Sequence, residues 1–434
     1  MTRVADFGAT GDGRTDDTEA IQRAVTEGDG MLVFDRGDYV ISRPIVIELA
    51  ESGRLGMTGG GVATLVMTGA GPALDIVGTH RGSASPDTFD EGVMEGQRMP
   101  TIAGLGILGA HEQADGIRLS YTHAATLTGL HIRECRHGVH LLERDRNLII
   151  ADCHIYHNRG VGVFYDGVNI HQSNITGSHI SYNRGGGIKL LDAEVRNIQF
   201  TGNDIEYNYD LEADASADVW IDCRSTSIRE GAITGNTIQA SASPGGANVR
   251  IIGACADRPT AAGNLTVSGN LISSQETNVH IADSRGVVVS GNHFFSGHRH
   301  AVHIERSEFI NLAGNNFGNN PDYKAETRDG IVIEDSNGCS ITGCIIENCA
   351  AEAGAVNVRR SRSLIISACQ VHDPRTRAIH LADVRRAVIS SCIVSVNEDE
   401  PTMRESVRLS GECTEVELAA NLLMEGPEGA VVRA

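Results

Sequence analysis

The sequence predicts an all-β fold, a single-stranded parallel β-helix of about 12 or more coils. Twelve short apolar segments recur along the chain, from LTGLHI at 127–132 to LAANLL at 418–423, and equivalent positions lie 22 to 34 residues apart. Apolar and polar residues alternate within each segment, as in a half-buried strand. The repeats contain neither a helical period nor the fixed leucine offsets of a leucine-rich repeat, so we favour a β-solenoid without helices.

The fourth residue of eleven of the twelve repeated segments is small or an amide, which predicts a stacked ladder. An amide side chain at this position can bond to its equivalent in the next coil, and so avoid the cost of burying an unpaired polar group. The ten cysteines are irregularly spaced and several share this position, which favours reduced, buried thiols over disulfides. The twelve positions are Leu130, Cys153, Ser178, Asn203, Asn236, Asn270, Asn292, Asn315, Cys344, Cys369, Cys392 and Asn421.

The charge balance makes nucleic acid an unexpected partner. Lys and Arg number 36 against 56 Asp and Glu, a net charge of −20, whereas phosphate contacts need cationic side chains. We expect no membrane association, because no run of 18 apolar residues is present. The N-terminal MTRVADFGATGDGRTDD has no apolar signal region, so we expect a cytoplasmic protein if this terminus is native.

The first 45 residues predict a cap and the first strands. Asp16 or Asp17 can cap a short helix whose apolar face is Ile21, Ala24 and Val25. Such a helix would cover the open end of a solenoid, which needs a terminal cap. MLVFDRGDYVIS at 31–42 is typical of a strand, a turn and a second strand. We expect one β-helix domain over 1–434, with regular coils over 115–434. We also expect an inserted surface loop at 79–100, which acts either as a flap or as an oligomer contact.

The stretch DFGATGDGRTDDTEAIQRAV, followed by VFDRGDYVIS, closely resembles the N-terminal cap of the pectate lyase superfamily. Asp35-Arg36 stands before Gly37-Asp38-Tyr39, where the family pattern usually has a proline. The resemblance implies a right-handed β-helix and a carbohydrate substrate. Family members include lyases, polygalacturonases, mannuronan epimerases, inulin fructotransferases and phage tailspikes. The Asp-Pro-His-Glu site of the epimerases is absent, and the His-Asp-Pro at 372–374 has a different order.

Aligning the repeats places one residue of each central strand in an outward column. The column contains a charged and aromatic stretch in its middle, beside the two longest repeats. Sugar rings bind aromatic faces flanked by hydrogen-bonding groups, so we predict substrate contacts there. The predicted substrate-binding residues are Lys189, Trp220, Arg250, His280, His303 and Tyr165.

Glycoside cleavage needs one protonated and one ionised carboxyl group. We predict Asp222 with Glu206 as the catalytic pair and Asp204 or Glu305 as substitutes. The predicted function is cleavage or transfer of a glycosidic linkage in an oligo- or polysaccharide, without a metal or other cofactor. The inulin fructotransferases of the pectate lyase superfamily, which this sequence resembles, use this carboxylate chemistry.

Two alternatives to this function remain open from the sequence. A polysaccharide lyase would use Lys189, Arg250 or His280 as a base, with Ca²⁺ held by the predicted carboxylates. A non-catalytic glycan-binding protein, most simply a homotrimer, would need no catalytic pair. A metal is a weaker prediction for a histidine-rich patch, because zinc needs three or four converging ligands. That patch comprises His154, His157, His171 and His179.

Overall fold

The computed structural model describes residues 1–82, 85–320, 322, 329–397 and 402–434. The chain is a right-handed, all-β parallel solenoid of about 16 turns, with about 6% of its residues in helices. This confirms the predicted fold class. The chain forms two compact units, unit 1 (Met1–Tyr209) and unit 2 (Asp210–Ala434).

The described part of unit 1 contains twenty strands, which pair in parallel from coil to coil. Their bounds are Thr2–Arg3, Asp12–Asp16, Met31–Val33, Gly37–Ile41, Ile45–Glu48, Gly56–Met67, Gly71–Val77, Thr101–Gly109, Ala114–Ser120, Thr126–Thr128, His131–Arg133, Val139–Leu142, Arg144–Ala151, His154–Tyr156, Val161–Asp166, Asn169–Thr176, His179–Ser181, Gly186–Leu191, Glu194–Thr201 and Asp204–Glu206.

Unit 2 repeats the same three-strand coil. Its strands are Ser216–Asp222, Ile228–Thr234, Thr237–Gln239, Gly246–Ile252, Ala262–Ser268, Leu271–Ser273, Thr277–Ala282, Arg285–Ser290, His293–Phe295, His300–Glu305, Asn311–Ala313, Asn316–Gly318, Asp329–Glu334, Ser340–Thr342, Ile345–Glu347, Val356–Arg359, Arg362–Ser367, Gln370–His372, Arg377–Ala382, Arg385–Ser390, Ile393–Ser395, Glu405–Ser410, Thr414–Ala419, Leu422–Leu423 and Val431–Arg433.

The helices of the described residues all lie in unit 1. The α-helices are Thr18–Glu27, Leu49–Ser52 and Glu91–Gly96, and the 3₁₀ helices are Val4–Phe7 and Pro86–Thr88. None of these helices is long and apolar enough to cross a membrane.

The period of two in each strand sends every second residue into the interior. Ile132, Ile155, Ile180 and Ile205 occupy one register position in successive coils of unit 1, and all four are fully buried. Because each strand alternates in this way, the residues on either side of these isoleucines face outward in columns of their own.

The predicted asparagine ladder is present inside unit 2. The amide oxygen of Asn292 accepts hydrogen bonds from the backbone N–H and the side-chain amide of Asn270, at 3.0 and 2.9 Å. Asn292 in turn donates to Asn315 by both groups at 3.0 Å, and its amide also donates to the carbonyl of Val267. The ladder therefore gives partners to polar groups in the core and fixes the coils in register.

Cysteine at the ladder position behaves as predicted. All ten cysteines are free thiols and nine are buried. Unit 1 also has a second asparagine ladder that we did not predict, in which Asn158 donates to Asn183 and Asn183 donates to Asn208, both side chain to side chain at 2.8 Å.

The N-terminal cap forms with one difference in its hydrogen bonds. The helix Thr18–Glu27 buries Ile21, Ala24 and Val25, and the strands Met31–Val33 and Gly37–Ile41 follow as predicted. Asp17 occupies the N-cap, but its carboxylate accepts from the backbone of Thr10 and Gly11. The buried carboxylate of Asp17 thus stabilises the loop before the helix and makes no hydrogen bond to the first helical turn.

The loop at 79–100 packs against coils of unit 1. Asp90 caps the helix Glu91–Gly96, the Phe89 ring meets the His123 ring edge-on at 5.5 Å, and Arg144 donates to the carbonyl of Gly82. Residues 83 and 84 of the loop lie outside the described part of the chain. Its role as a flap or an oligomer contact stays a prediction.

Asn292→Ala should lower the free energy of unfolding by about 3 kcal/mol or more, because it leaves two buried donors and one buried carbonyl without partners. Asn292→Cys should cost less, since the chain itself carries Cys at the equivalent position 344. Urea unfolding of both variants, with the exposed Asn174→Ala as control, measures the difference. A loss for Asn292→Ala no larger than for the control would contradict the ladder's role.

Candidate active site

One outward column of unit 1 consists of three histidines followed by a carboxylate. His131, His154, His179 and Asp204 follow one another in register through four coils. The rings of His154 and His179 stack at 5.0 Å between centroids with a 9° interplanar angle. Nδ1 of His179 lies 3.1 Å from Oδ2 of Asp204. Asp204 therefore has an imidazole partner that stabilises its ionised form when protonated.

The neighbouring column ends in a second carboxylate. Arg133, Tyr156, Ser181 and Glu206 are in register. Burial raises the pKa of Glu206, and the negative charge of Asp204 raises it further, while His179 lowers it. The two carboxyl groups thus differ in environment, since burial and a neighbouring carboxylate raise the pKa of Glu206, whereas Asp204 lies beside the imidazole of His179.

A third column forms the corner that follows these strands. His157, Tyr182 and Tyr207 adopt left-handed backbone angles, with φ of 56°, 59° and 56°. Their rings stack nearly parallel, with centroids 4.9 Å apart for His157 and Tyr182 and 5.4 Å apart for Tyr182 and Tyr207. Tyr182 is 50% exposed. Glu134, Ser274 and Ser296 take the same left-handed angle at the equivalent corner of other coils. The backbone conformation therefore belongs to the coil, and the stack of aromatic rings is what distinguishes these three positions.

The predicted outward column exists inside unit 2. Trp220, Arg250, His280 and His303 are paired in register in successive coils. The guanidinium of Arg250 covers the Trp220 ring at 5.0 Å and donates to the carbonyl of Gly245. Arg250 is buried, which lowers its pKa, so this guanidinium has little surface left for a substrate.

The structure places Asp222 in a different setting from the one predicted. Asp222 is 2% exposed instead of lying on an open face. Both of its oxygens accept from Arg224, at 2.9 Å from Nε and 2.7 Å from Nη2. Because both oxygens are engaged by one guanidinium, Asp222 is poorly placed to contact a leaving group. Asp222 belongs to unit 2, whereas Glu206, its predicted partner, belongs to unit 1.

His280, His303 and Glu305 do come together. Nε2 of His280 lies 3.0 Å from Oε1 of Glu305, and the two imidazole rings stack at 5.2 Å. The hydrogen bond from His280 and the charge of Arg306 lower the pKa of Glu305 to about 2. Glu305 is therefore a weak candidate for a general acid.

The register of one coil corrects the expected position of Tyr165. Phe164 occupies the outward column between His140 and Lys189, and Tyr165 points into the core, where it is fully buried. The hydroxyl group of Tyr165 lies 2.6 Å from Oγ of Ser173. Its distance from the surface excludes the substrate contact we expected. Lys189 is half-buried in the predicted column.

The predicted carboxylates do not fit Ca²⁺. This ion takes six to eight oxygen ligands. Asp204 is engaged by His179, and both oxygens of Asp222 are engaged by Arg224. In the described part of unit 1, no three His, Cys, Asp or Glu side chains gather around a common point.

The residues of the predicted histidine-rich patch lie in separate columns. His154 and His179 stack in one column, and His157 stacks on Tyr182 in another.

The aromatic corner carried a sequence signal that we did not use. The pentapeptides HIYHN, HISYN and DIEYN begin at 154, 179 and 204, each one repeat of 25 residues after the last. Their fourth residues form the ring stack and their fifth residues form the second asparagine ladder. Treating these five positions as separate columns would have revealed both features.

Family comparison agrees with this architecture. The family described as "Right handed beta helix region" matches residues 109–230, 216–350 and 323–432. The chain belongs to the right-handed β-helix family. A second family, rhamnogalacturonase A/epimerase, pectate lyase-like, matches residues 1–69 of this β-helix protein, which confirms the resemblance of its cap. No curated protein matches the sequence.

Solved structures share the fold of this right-handed β-helix protein at low identity. The tailspike of E. coli bacteriophage HK620 in complex with a pentasaccharide is 11% identical, with a TM-score of 0.50 over 96% of this chain and 78% of that one. The GH87 α-1,3-glucanase of Streptomyces thermodiastaticus is 13% identical, with a TM-score of 0.44 over 100% of this chain and 67% of that one. At these sequence identities, the similarity concerns the fold alone.

Asp204→Asn should lower the pKa of Glu206, because it removes a neighbouring negative charge. His179→Ala should raise it, because the charge of His179 acts in the opposite direction. Carboxyl carbon NMR titration of Glu206 measures both changes, and Glu194→Gln on the preceding strand serves as control. A Glu206 pKa at or below that of an exposed glutamate would contradict the site as described.

Proposed function

We propose that unit 1 hydrolyses a glycosidic linkage of an oligo- or polysaccharide, with Glu206 as general acid and Asp204 as general base. The observation that carries this proposal is the contrast between the two carboxyl groups. Burial and the charge of Asp204 raise the pKa of Glu206, whereas Asp204 lies 3.1 Å from His179. Two carboxyl groups with divergent environments are the usual acid and base of glycoside cleavage.

The aromatic corner supports a sugar as the substrate. Tyr207 directly follows the strand that carries Asp204 and Glu206. The exposed ring of Tyr182, one coil earlier, stacks on the ring of Tyr207. Sugars place their C–H faces on such rings while their hydroxyl groups bond to neighbouring polar side chains. Ser181, between Tyr156 and Glu206 in its column, has a short side chain, which leaves room for a sugar above Glu206.

The proposed reaction follows from these positions. Glu206 donates its proton to the glycosidic oxygen as the bond to the anomeric carbon breaks. Asp204 accepts a proton from a water molecule, whose oxygen bonds to that carbon. His179, 3.1 Å away, orients the carboxylate of Asp204. The Cα atoms of residues two apart on a strand are about 6.6 Å apart and their side chains leave the same face, so both carboxyl groups can reach one glycosidic linkage.

The family fold favours a carbohydrate ligand without deciding the chemistry. The HK620 tailspike, which has this fold, was solved with a bound pentasaccharide. Because a β-helix can bind a glycan without cleaving it, the carboxyl pair must be tested by activity. An oligomeric assembly, which we expected to be trimeric, is a further proposal that the activity does not require.

Glu206→Gln and Asp204→Asn should each lower the hydrolysis rate by about 10²- to 10⁴-fold, the usual contribution of a general acid or base. The assay is a panel of neutral and acidic glycans, with and without EDTA, read by product mass, ultraviolet absorbance and anomeric proton NMR. Glu194→Gln, a surface carboxylate change in the same unit, should keep full activity.

Three results would contradict this proposal. Unsaturated, absorbing products lost with EDTA would assign a metal-dependent lyase. An unchanged rate in Glu206→Gln would remove Glu206 from the chemistry. Binding of a glycan without turnover by the unaltered protein would assign a binding protein.

Tyr182→Asn separates the role of the ring from its role in folding. Asn adopts the left-handed conformation at lower cost than Tyr, so the midpoint of thermal unfolding should stay the same or rise. Loss of the stacking surface should raise KM with a smaller effect on kcat. An unfolding midpoint that falls while KM stays unchanged would assign the ring stack to stability alone.

A further inference from the structure

The outer face of unit 2 carries a cluster that the proposed hydrolysis does not use. One ligand atom each of His280, His303 and Glu305 lies within 4.8 Å of the other two. Among the residues that the structure describes, no other set of three His, Cys, Asp or Glu side chains converges in this way. All three side chains are half-buried, so the cluster is shielded without being closed to solvent.

The parallel register builds this cluster from two coils. His280 is paired with His303, and Ala282 is paired with Glu305. The imidazoles of His280 and His303 therefore lie one coil apart in the same column. The carboxylate of Glu305 lies in the adjacent column, two residues after His303 on the same strand. Ala282, at the fourth corner of this square, is buried and has only a methyl side chain, so it adds no competing polar group to the cluster.

The carboxylate is already oriented toward the imidazoles. Oε2 of Glu305 is engaged by Arg306, whose guanidinium also holds both oxygens of Asp283. Oε1 is thereby left facing Nε2 of His280 at 3.0 Å. Outer hydrogen bonds that fix the direction of a ligand are a regular feature of metal sites.

The next coil repeats this arrangement with Glu334. Its Oε1 lies 3.0 Å from Nε2 of His303, while Arg360 donates to its Oε2 at 2.9 Å. A cation bound by Nε2 of His303 would replace that hydrogen bond and leave Oε1 of Glu334 available as a fourth ligand.

We propose that His280, His303 and Glu305 bind a divalent first-row transition-metal ion, with Zn²⁺ as the best match. Two imidazole nitrogens and a carboxylate are ligands that Zn²⁺ prefers, whereas Ca²⁺ needs six to eight oxygens. Zinc–ligand bonds of about 2.0–2.1 Å put ligand atoms about 3.3 Å apart. The three ligand atoms lie within 4.8 Å of one another, so the farthest pair must approach by at most about 1.5 Å to reach that spacing.

Isothermal titration of the full chain with ZnCl₂ after EDTA treatment and desalting tests this site. We expect one Zn²⁺ per chain at high affinity, and a rise in the midpoint of thermal unfolding when Zn²⁺ is present. Glu305→Gln, His280→Ala and His303→Ala should each weaken binding at least tenfold and remove most of that rise. Glu305→Gln is the conservative variant, and its circular dichroism spectrum must match that of the unaltered protein.

His380→Ala is the matched control. His380 lies in the same column as His303, three coils further on, but its Nε2 bonds to the hydroxyl group of Ser410 at 2.8 Å. This variant should bind Zn²⁺ as the unaltered protein does. The proposal is overturned by absence of Zn²⁺ binding at millimolar concentration, by binding that survives Glu305→Gln, or by an equal loss in His380→Ala. Because the cluster belongs to unit 2, its test is independent of glycan hydrolysis by unit 1.

Discussion

The hydrogen-bonded register between successive coils is the constraint on which every other feature depends. Parallel strands of neighbouring coils lie about 4.8 Å apart, so a side chain is held directly over its equivalents. The buried asparagine ladders secure this register, because a shift of the coils would leave their amides without partners. A residue in this protein therefore acts as one member of a column, and its neighbours across coils matter as much as its neighbours in sequence.

Columns explain how one regular scaffold can bring together two different sets of polar side chains. In unit 1, a histidine column, a second column and an aromatic corner end together at Asp204, Glu206 and Tyr207. In unit 2, the same regularity places His280 beside His303 and Glu305. Each site needs no special loop, since adjacent positions of a repeated coil supply the chemical groups.

The sequence predicts the fold, the ladder and the outward columns because these follow from period and repeat spacing. It placed Trp220, Arg250, His280 and His303 in their true order. It failed at Tyr165, because an error of one residue in the count along a strand exchanges a core position for a surface position. It also failed to foresee that Arg224 binds Asp222, because a partner two residues away after a strand depends on the turn that follows it.

A crystal structure of Glu206→Gln with a bound oligosaccharide tests the central claim most directly. The account predicts a sugar ring on Tyr182 or Tyr207, with its glycosidic oxygen within about 3 Å of the substituted amide at position 206 and a water molecule near Asp204. A glycan bound only away from this corner, or lying with its linkage far from both side chains, would contradict the assignment of the active site.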